Sequence, residues 1–206
     1  MLKRLIFLAA LFILAGCAYT VKPTEIYGGQ VSAPPANPVS VMIATQKIKA
    51  YRYSGHPSSF ASGAARFDFD MGEALSRTMF TQSSQTFGRV LLSENTPGKV
   101  PAVKLIVEPE VTGFDFRHDM GAAMLVGMFA TSSVEAEIKL AADVYSPDRS
   151  VSFRVTSTGR GSSSAYGFGF SPERNTTEAT AFAILDGTRN LISAIAASPE
   201  FSRLPK

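Results

Sequence analysis

The stretch from Val134 to Val144 constrains the fold more than any other part of the chain, because apolar and polar side chains alternate along it. The apolar phase consists of Val134, Ala136, Ile138, Leu140, Ala142 and Val144. The opposite phase carries the charged residues Glu135, Glu137, Lys139 and Asp143. A period of two residues is that of an extended chain, so this stretch predicts a strand with one buried and one solvated face.

The segments on either side extend this strand into a sheet. Residues 146–149 have the composition of a turn, and alternation over 151–155 follows them, which predicts a β-hairpin. Residues 103–111 alternate in the same way and predict the preceding strand. Gly113 then shifts the phase, because the aromatic residues of 114–116 fall on even positions, and this predicts a β-bulge.

Two helices are predicted from capping residues and helical spacing. Asp70 and Glu73 match a helix start with Asp70 as N-cap. Asn175 and Glu178 frame a second start, and Pro199 ends that helix. The predicted buried face of the second helix consists of Ala181, Leu185, Thr188, Ile192 and Ile195.

Together with a first strand over 39–43, a loop over 50–67 and a short strand over 89–92, these segments give the order β-α-β-β-β-β-α. Strands with one polar face and helices with one apolar face pack as two layers. We therefore expect an α+β fold: a two-layer sandwich in which a mostly antiparallel sheet carries both helices on one face. Residues 39–206 are enough for a single domain with one sizeable core.

Residues 1–16 have the order of segments that is typical of a secretory signal peptide. A short basic start precedes an unbroken apolar run over 5–14, and small residues follow it. The run is too short to span a bilayer, which needs ~20 apolar residues. We expect residues 1–16 to be removed from the mature protein.

The four residues Leu14-Ala15-Gly16-Cys17 at the end of this segment resemble the lipobox of bacterial lipoproteins. The resemblance implies that the Cys17 thiol carries diacylglycerol, that the leader is cut just before Cys17, and that the new amine takes a further acyl chain such as palmitate. Two or more acyl chains make a stable anchor. Ala18 stands where lipoproteins retained at the inner membrane commonly carry aspartate, so the resemblance further implies an outer-membrane protein that faces the periplasm.

Residues 17–38 have the composition of a flexible linker, with four prolines and a double glycine among few apolar residues. In a proline-rich extended form the 21 residues of 18–38 would reach about 65 Å, at ~3.1 Å per residue, and would hold the folded domain well away from the membrane. The alternative is that part of it packs as an arm on a partner through Ile26, Tyr27 and Val31.

Charge and composition exclude several function classes. The formal net charge of +3 falls to +1 without the two cationic residues of the leader, which leaves 18 cationic side chains (20 less two) against 17 acidic ones. A nucleic-acid binder would keep a basic excess, so none is expected. One cysteine cannot form an intramolecular disulfide, and two histidines leave little for a zinc site. We expect neither a metal nor a cofactor.

No catalytic set emerges from the sequence, and we expect a protein that is not an enzyme. His118 lies near Asp115 and Asp119 at a predicted strand end, where these groups could meet a divalent ion or act as a base and its orienting group. The more ordinary interpretation is a solvated turn after the strand. An envelope hydrolase is therefore only a third hypothesis.

Two apolar segments are candidate contact surfaces. Residues 121–130 hold no charge, and residues 165–170 read Ala-Tyr-Gly-Phe-Gly-Phe. Exposed loops are normally polar, so apolar ones indicate burial, a partner or a membrane. Hairpin parity places both segments at one end of the sheet. The alternative to a contact surface is that 121–130 forms a short core helix that closes one end of the domain. The candidate partner-contact residues are Met124, Leu125, Met128, Phe129, Tyr166, Phe168 and Phe170.

These features favour a membrane-anchored periplasmic lipoprotein that is a non-enzymatic structural or assembly component of an envelope complex. Its expected partners are envelope proteins or further copies of itself. The alternative is a transporter accessory or carrier that binds lipid or another apolar ligand between the sheet and the loops. By element order, residues 39–198 loosely resemble small periplasmic accessory lipoproteins: those of ABC transporters, the lipopolysaccharide-assembly lipoprotein, and the N-terminal fold of TolB-like and curli-secretion proteins. The resemblance implies an accessory role in an envelope machine.

Overall fold

The computed structural model describes residues 18–23, 37–58, 65–94, 103–119, 131–166 and 169–203. The strands are β1 (Ala18–Val21), β2 (Asn37–Ala44), β3 (Arg52–Gly55), β4 (Arg66–Asp70), β5 (Phe87–Ser93), β6 (Leu105–Asp119), β7 (Thr131–Tyr145) and β8 (Ser152–Tyr166). The helices are α1 (Gln46–Lys49), α2 (Gly72–Thr86) and α3 (Pro172–Ala197), and a 3-10 turn follows at Phe201–Arg203. The fold is α+β, with the order β-β-α-β-β-α-β-β-β-β-α.

The larger of two sheets has five strands in the order β5-β2-β6-β7-β8. The pairs β6–β7 and β7–β8 are antiparallel, whereas β2 lies parallel to both β5 and β6. The expectation of a mostly antiparallel sheet is therefore wrong for the half that contains β2. The chain leaves β2, passes through α2 and returns as β5 at its side, and such a crossover makes the two strands parallel.

The predicted phases of β6 and β7 are confirmed. Leu140 and Ile138 are fully buried on the apolar phase of β7. Val111 lies opposite Leu140, but after a shift in register at Gly113 it is Phe114 that lies opposite Ile138. The predicted bulge at Gly113 is thus present, and it keeps the aromatic side chains that follow on the buried face.

The predicted hairpin between β7 and β8 is also confirmed. Its turn is closed by the Arg149 backbone N–H, which donates to the Ser146 carbonyl at 2.9 Å. Asp148 Oδ1 accepts hydrogen bonds from the hydroxyls of Ser146 and Ser150, and these bonds lower the pKa of Asp148 to about 2. Such side-chain bonds to nearby groups are typical of tight turns.

A second sheet of three short strands, in the order β1-β4-β3, was not expected from the sequence. Part of the predicted loop over 50–67 forms β3 and the start of β4. The prediction of Asp70 as an N-cap is wrong, because Asp70 is the last residue of β4 and forms an ion pair with Arg52 at 3.1 Å. The N-cap of α2 is Met71, which has no side-chain capping bond.

Strand β1 occupies the first part of the range that composition assigns to a flexible linker, 17–38. It pairs parallel with β4 from Ala18 opposite Arg66 to Val21 opposite Phe69. Val21 is fully buried. Residues 18–21 of this range are therefore part of the folded domain, and residues 24–36 lie outside the described part.

The helices and the small sheet cover the same face of the large sheet. Side chains from α2, α3, β1 and β4 share one buried cluster with the apolar phase of β7. The layer above the large sheet thus contains a sheet as well as helices, which corrects the simpler sandwich of one sheet and two helices. α3 begins earlier than predicted: Ser171 is its N-cap and accepts from the Arg174 backbone N–H at 3.3 Å, while Pro172 is the first helical residue.

Close packing of α3 on β8 depends on two glycines. A Cβ at Gly159 would lie 2.2 Å from the carbonyl oxygen of Ala183 and from the backbone nitrogen of Gly187. A Cβ at Gly161 would lie 2.1 Å from the carbonyl oxygen of Ala179. No side chain fits at these distances, so the helix lies directly on the strand backbone.

Candidate contact surface

The strand ends that flank the predicted contact segments lie at one end of the large sheet. Strand β6 ends there at Asp119, β7 begins at Thr131, and Thr131 lies opposite Tyr166 at the end of β8. We call this the loop end of the domain. The flanking ends of β6, β7 and β8 lie together, as hairpin parity predicts, while 121–130 and 167–168 lie outside the described residues.

The start of β1 lies at the same end, which the sequence did not reveal. Phe67 of β4 contacts His118 with ring centroids 5.1 Å apart, and Phe69 contacts Phe114 at 4.8 Å, so β4 runs against the direction of β6. Because β1 is parallel to β4 and Ala18 lies opposite Arg66, the first described residue lies at the loop end. Cys17 is joined to it by one peptide bond.

The two described contact candidates differ in their surroundings. Tyr166 has 61% of its surface exposed. Phe170 is half-buried and packs against the core, with its ring 6.3 Å from that of His118. The other predicted site residues lie outside the described part of the chain: Cys17, Met124, Leu125, Met128, Phe129 and Phe168.

A cluster of rings lies beneath the loop end. It joins both sheets and the start of α3, and most of its ring contacts are edge-to-face with centroids 4.8 to 6.4 Å apart. Its members are Tyr19, Tyr53, Phe67, Phe69, Phe114, Phe116, His118 and Phe170. Aromatic pairs in this geometry add to stability beyond the effect of their buried area, so a well-packed cluster supports the loop end.

His118 belongs to this cluster and not to a solvated turn, which corrects the more ordinary interpretation of its sequence context. It is 2% exposed, and its Nε2 lies 2.9 Å from Thr176 Oγ1 of α3. Burial lowers the pKa of the His118 imidazole to about 4, so the ring is neutral at pH 7. Asp115 and Asp119 lie on the opposite, exposed phase of β6, so they do not face this histidine.

Asn175 and Glu178, predicted to frame a helix start, instead attach α3 to β8. Asn175 Nδ2 donates to Ser163 Oγ at 2.8 Å, and Ser163 Oγ donates to Glu178 Oε2 at 2.7 Å. Asn175 Oδ1 also accepts from the Ser171 backbone N–H at 3.0 Å. These bonds fix the start of α3 close to the loop end.

The opposite face of the large sheet is covered by cross-strand ion pairs. Arg154 pairs with Asp143 at 2.7 Å and also with Glu110. Arg160 pairs with Glu137 at 2.9 Å. Nearer the loop end, an open groove of about 670 Å³ is lined by Ser58, Asp115, Phe116, Arg117, Glu135, Ala136, Glu137, Arg160, Gly161 and Ser162. Because charges of both signs alternate along it, the groove has no marked preference for a cation or an anion.

Over the described ranges, no three or more His, Cys, Asp or Glu side chains come together as a group that could hold a metal ion. Within those same ranges, no helix has the length and apolar character needed to cross a membrane.

Comparison with known proteins gives no family. No family model matches the chain, and no curated protein does. Among solved structures, a minor lipoprotein from Acinetobacter baumannii is 13% identical, with 84% of this chain and 98% of that one covered and a TM-score of 0.37. A PelC dodecamer from Paraburkholderia phytofirmans is 6% identical, with coverage of 83% and 92% and a TM-score of 0.34. A homolog of a neuraminyllactose-binding hemagglutinin from Helicobacter pylori is 10% identical, with coverage of 88% and 95% and a TM-score of 0.40.

Proposed function

We propose that this chain is a bacterial lipoprotein, anchored in the outer membrane through acyl chains on Cys17, and that its periplasmic domain is a non-enzymatic structural or assembly component of an envelope complex. The observation that carries the proposal is the lipobox-like sequence Leu14-Ala15-Gly16-Cys17, which follows a leader-like segment and places the cut just before Cys17. Strand β1 (Ala18–Val21) then joins the periplasmic domain close to that cysteine in the sequence.

The surroundings of His118 support a role without catalysis. The sequence offered one constellation for acid–base chemistry, His118 with its neighbouring carboxylates. These groups do not meet in the structure, because the imidazole is buried among aromatic rings while Asp115 faces solvent. A general base must reach its substrate directly or through one water, and this ring does not face the solvent.

The loop end remains the proposed contact surface. Tyr166 is exposed there, and the uncharged segment 121–130 connects two strands that meet at this end. The alternative of a carrier for apolar ligands would need an apolar cavity. Two open grooves of the described part, of about 670 and 740 Å³, are lined mainly by polar and charged residues.

Acylation is tested by expressing the full chain in a Gram-negative host with an alkyne analogue of palmitate. We expect the label on the mature chain and a mass for its first residue that corresponds to a triacylated cysteine. Cys17→Ser should remain unlabelled and uncut, because a hydroxyl is a far weaker nucleophile than a thiol. Ala18→Ser keeps the thiol and should be processed normally.

The next measurements test which membrane holds the protein and whether it forms a complex. After separation of the two membranes by density, the wild-type chain should be found in the outer membrane. For the role, the acylated chain is purified from its own membrane and weighed intact. A complex of fixed stoichiometry would support the structural role. A monomer that releases lipid beyond its own anchor would contradict it and favour the carrier.

A further inference from the structure

We propose that the loop end rests directly on the surface of the bilayer, with strands β6 to β8 pointing away from it, so that lipid is what this contact surface meets. The inference rests on the proposed acylation of Cys17. It names the partner of the loop end and the orientation of the whole domain.

The distance between anchor and fold carries the argument. Ala18 is the first residue of β1, and the Cα atoms of neighbouring residues are ~3.8 Å apart. Diacylglycerol on Cys17 must lie among the lipids, so Ala18 must lie at their surface. A linker over 18–38 would have allowed about 65 Å of separation at ~3.1 Å per residue, but the structure leaves no free residue between Cys17 and the strand.

Strand β1 is held too firmly to act as a tether itself. All four of its residues pair with β4, and Val21 is fully buried. The Tyr19 ring stacks on Phe67 with centroids 5.0 Å apart. Peeling β1 away from the domain would expose both side chains and open the aromatic cluster, so the anchor and the domain must move as one body.

The exposed side chains at this end suit a lipid surface. Tyr166 combines an apolar ring with a hydroxyl, and such residues are enriched where one side is apolar and the other wet. Arg66 lies opposite Ala18 with an exposed side chain, paired with Asp68 at 3.2 Å, at the level where lipid headgroups carry phosphate.

The opposite end of the β7–β8 hairpin provides label positions that should lie farther from the bilayer. β7 has 15 residues, which at ~3.3 Å per residue span roughly 45 Å. The turn at 146–149 should therefore lie well outside the bilayer. Lys139, exposed near the middle of β7, should lie at an intermediate height.

The acylated full chain, in phosphatidylcholine vesicles, serves for the measurement. Since acylation blocks Cys17, one new cysteine at a time accepts a bimane label: Tyr166→Cys, Lys139→Cys or Pro147→Cys. Each labelled variant is checked for an unchanged melting temperature. With brominated phosphatidylcholine as quencher, we expect strong quenching at position 166, weak quenching at 139 and none at 147.

The possible quenching patterns distinguish three arrangements of the domain. If an acylated chain shows no quenching at any position, the domain stands away from the bilayer, and the loop end takes a protein partner instead. Strongest quenching at position 147 would mean the opposite orientation. Either outcome overturns this inference and leaves acylation intact. A mass spectrum without lipid on Cys17 would overturn the proposed function together with this inference.

Discussion

His118 of β6 and Thr176 of α3 are joined inside the core, with His118 Nε2 2.9 Å from Thr176 Oγ1. The pair connects the large sheet to its main helix at the depth where the aromatic cluster is densest. Edge-on contacts with Phe67, Phe116 and Phe170 surround the imidazole. A neutral ring fits this site, and a protonated one would be a buried charge.

The first prediction is that stability falls with acid because of His118. Its pKa is about 4 in the folded chain and 6.5 in an unfolded one, so the unfolded state binds the proton first. Well above pH 6.5 the histidine is neutral in both states and costs no stability. As the pH falls toward 4, about 3 kcal/mol of the free energy of unfolding should be lost, at ~1.4 kcal/mol per pKa unit. Urea unfolding at successive pH values measures it.

His118→Gln is the matched control, because glutamine can still bond Thr176 and does not titrate. The difference in stability between wild type and variant should shrink as the pH falls from 6.5 to 4. If the two stability curves stay parallel over this range, His118 does not cause the loss.

The second prediction concerns the two faces of β7. Leu140→Asp should unfold the domain or cost several kcal/mol, because it places an unpaired charge at a fully buried position. Lys139→Asp introduces the same residue on the exposed phase and should cost at most about 1 kcal/mol. Thermal unfolding of both variants measures this, and equal melting temperatures would contradict the register.

The third prediction concerns the glycines beneath α3. Gly159→Ala should cost about 1–3 kcal/mol, because its Cβ would overlap backbone atoms of the helix, 2.2 Å away. Gly113→Ala is the control, since a Cβ there would meet only the Lys139 side chain at 3.5 Å. Urea unfolding should separate the two variants. A tolerated Gly159→Ala would show that α3 does not lie this close to β8.

The fourth prediction concerns the ion pairs of the polar sheet face. Arg154 bonds two carboxylates but is about half exposed, so Arg154→Ala should lower the free energy of unfolding only slightly. Salt screens such pairs, and the difference should shrink further in 1 M salt, where the Debye length is ~3 Å. A large loss that persists in high salt would mean that Arg154 stabilises the sheet through packing.

Strand phases, the bulge and the hairpin turn could be predicted because they are local. Alternation along β7 is set by the pleat, so a run of six residues on one phase identifies its buried face without knowledge of its neighbours. Gly113 signalled the bulge for the same reason. The common end of the strands that flank these segments then followed from counting strands, as the pairing of Thr131 with Tyr166 shows for β7 and β8.

The small sheet could not be predicted in this way. Its strands have only four or five residues, and β1 lies in a segment whose prolines and glycines are typical of a linker. Packing of Phe67 and Phe69 against aromatic rings of β6 stabilises these short strands. Asp70 looked like a helix cap for a related reason, since its strand role depends on Arg52, a residue 18 positions away.

The sequence by itself therefore determined the long hairpin and the two main helices, because each depends on neighbours within a few residues, and it alone suggests the leader and the lipobox-like motif. Only the tertiary structure decided that β2 lies between two parallel partners, that His118 is buried, and that the residue after Cys17 begins a strand at the loop end. These three features depend on contacts between distant segments. No local periodicity encodes such contacts, because the free energy that fixes them comes from burying one segment against another.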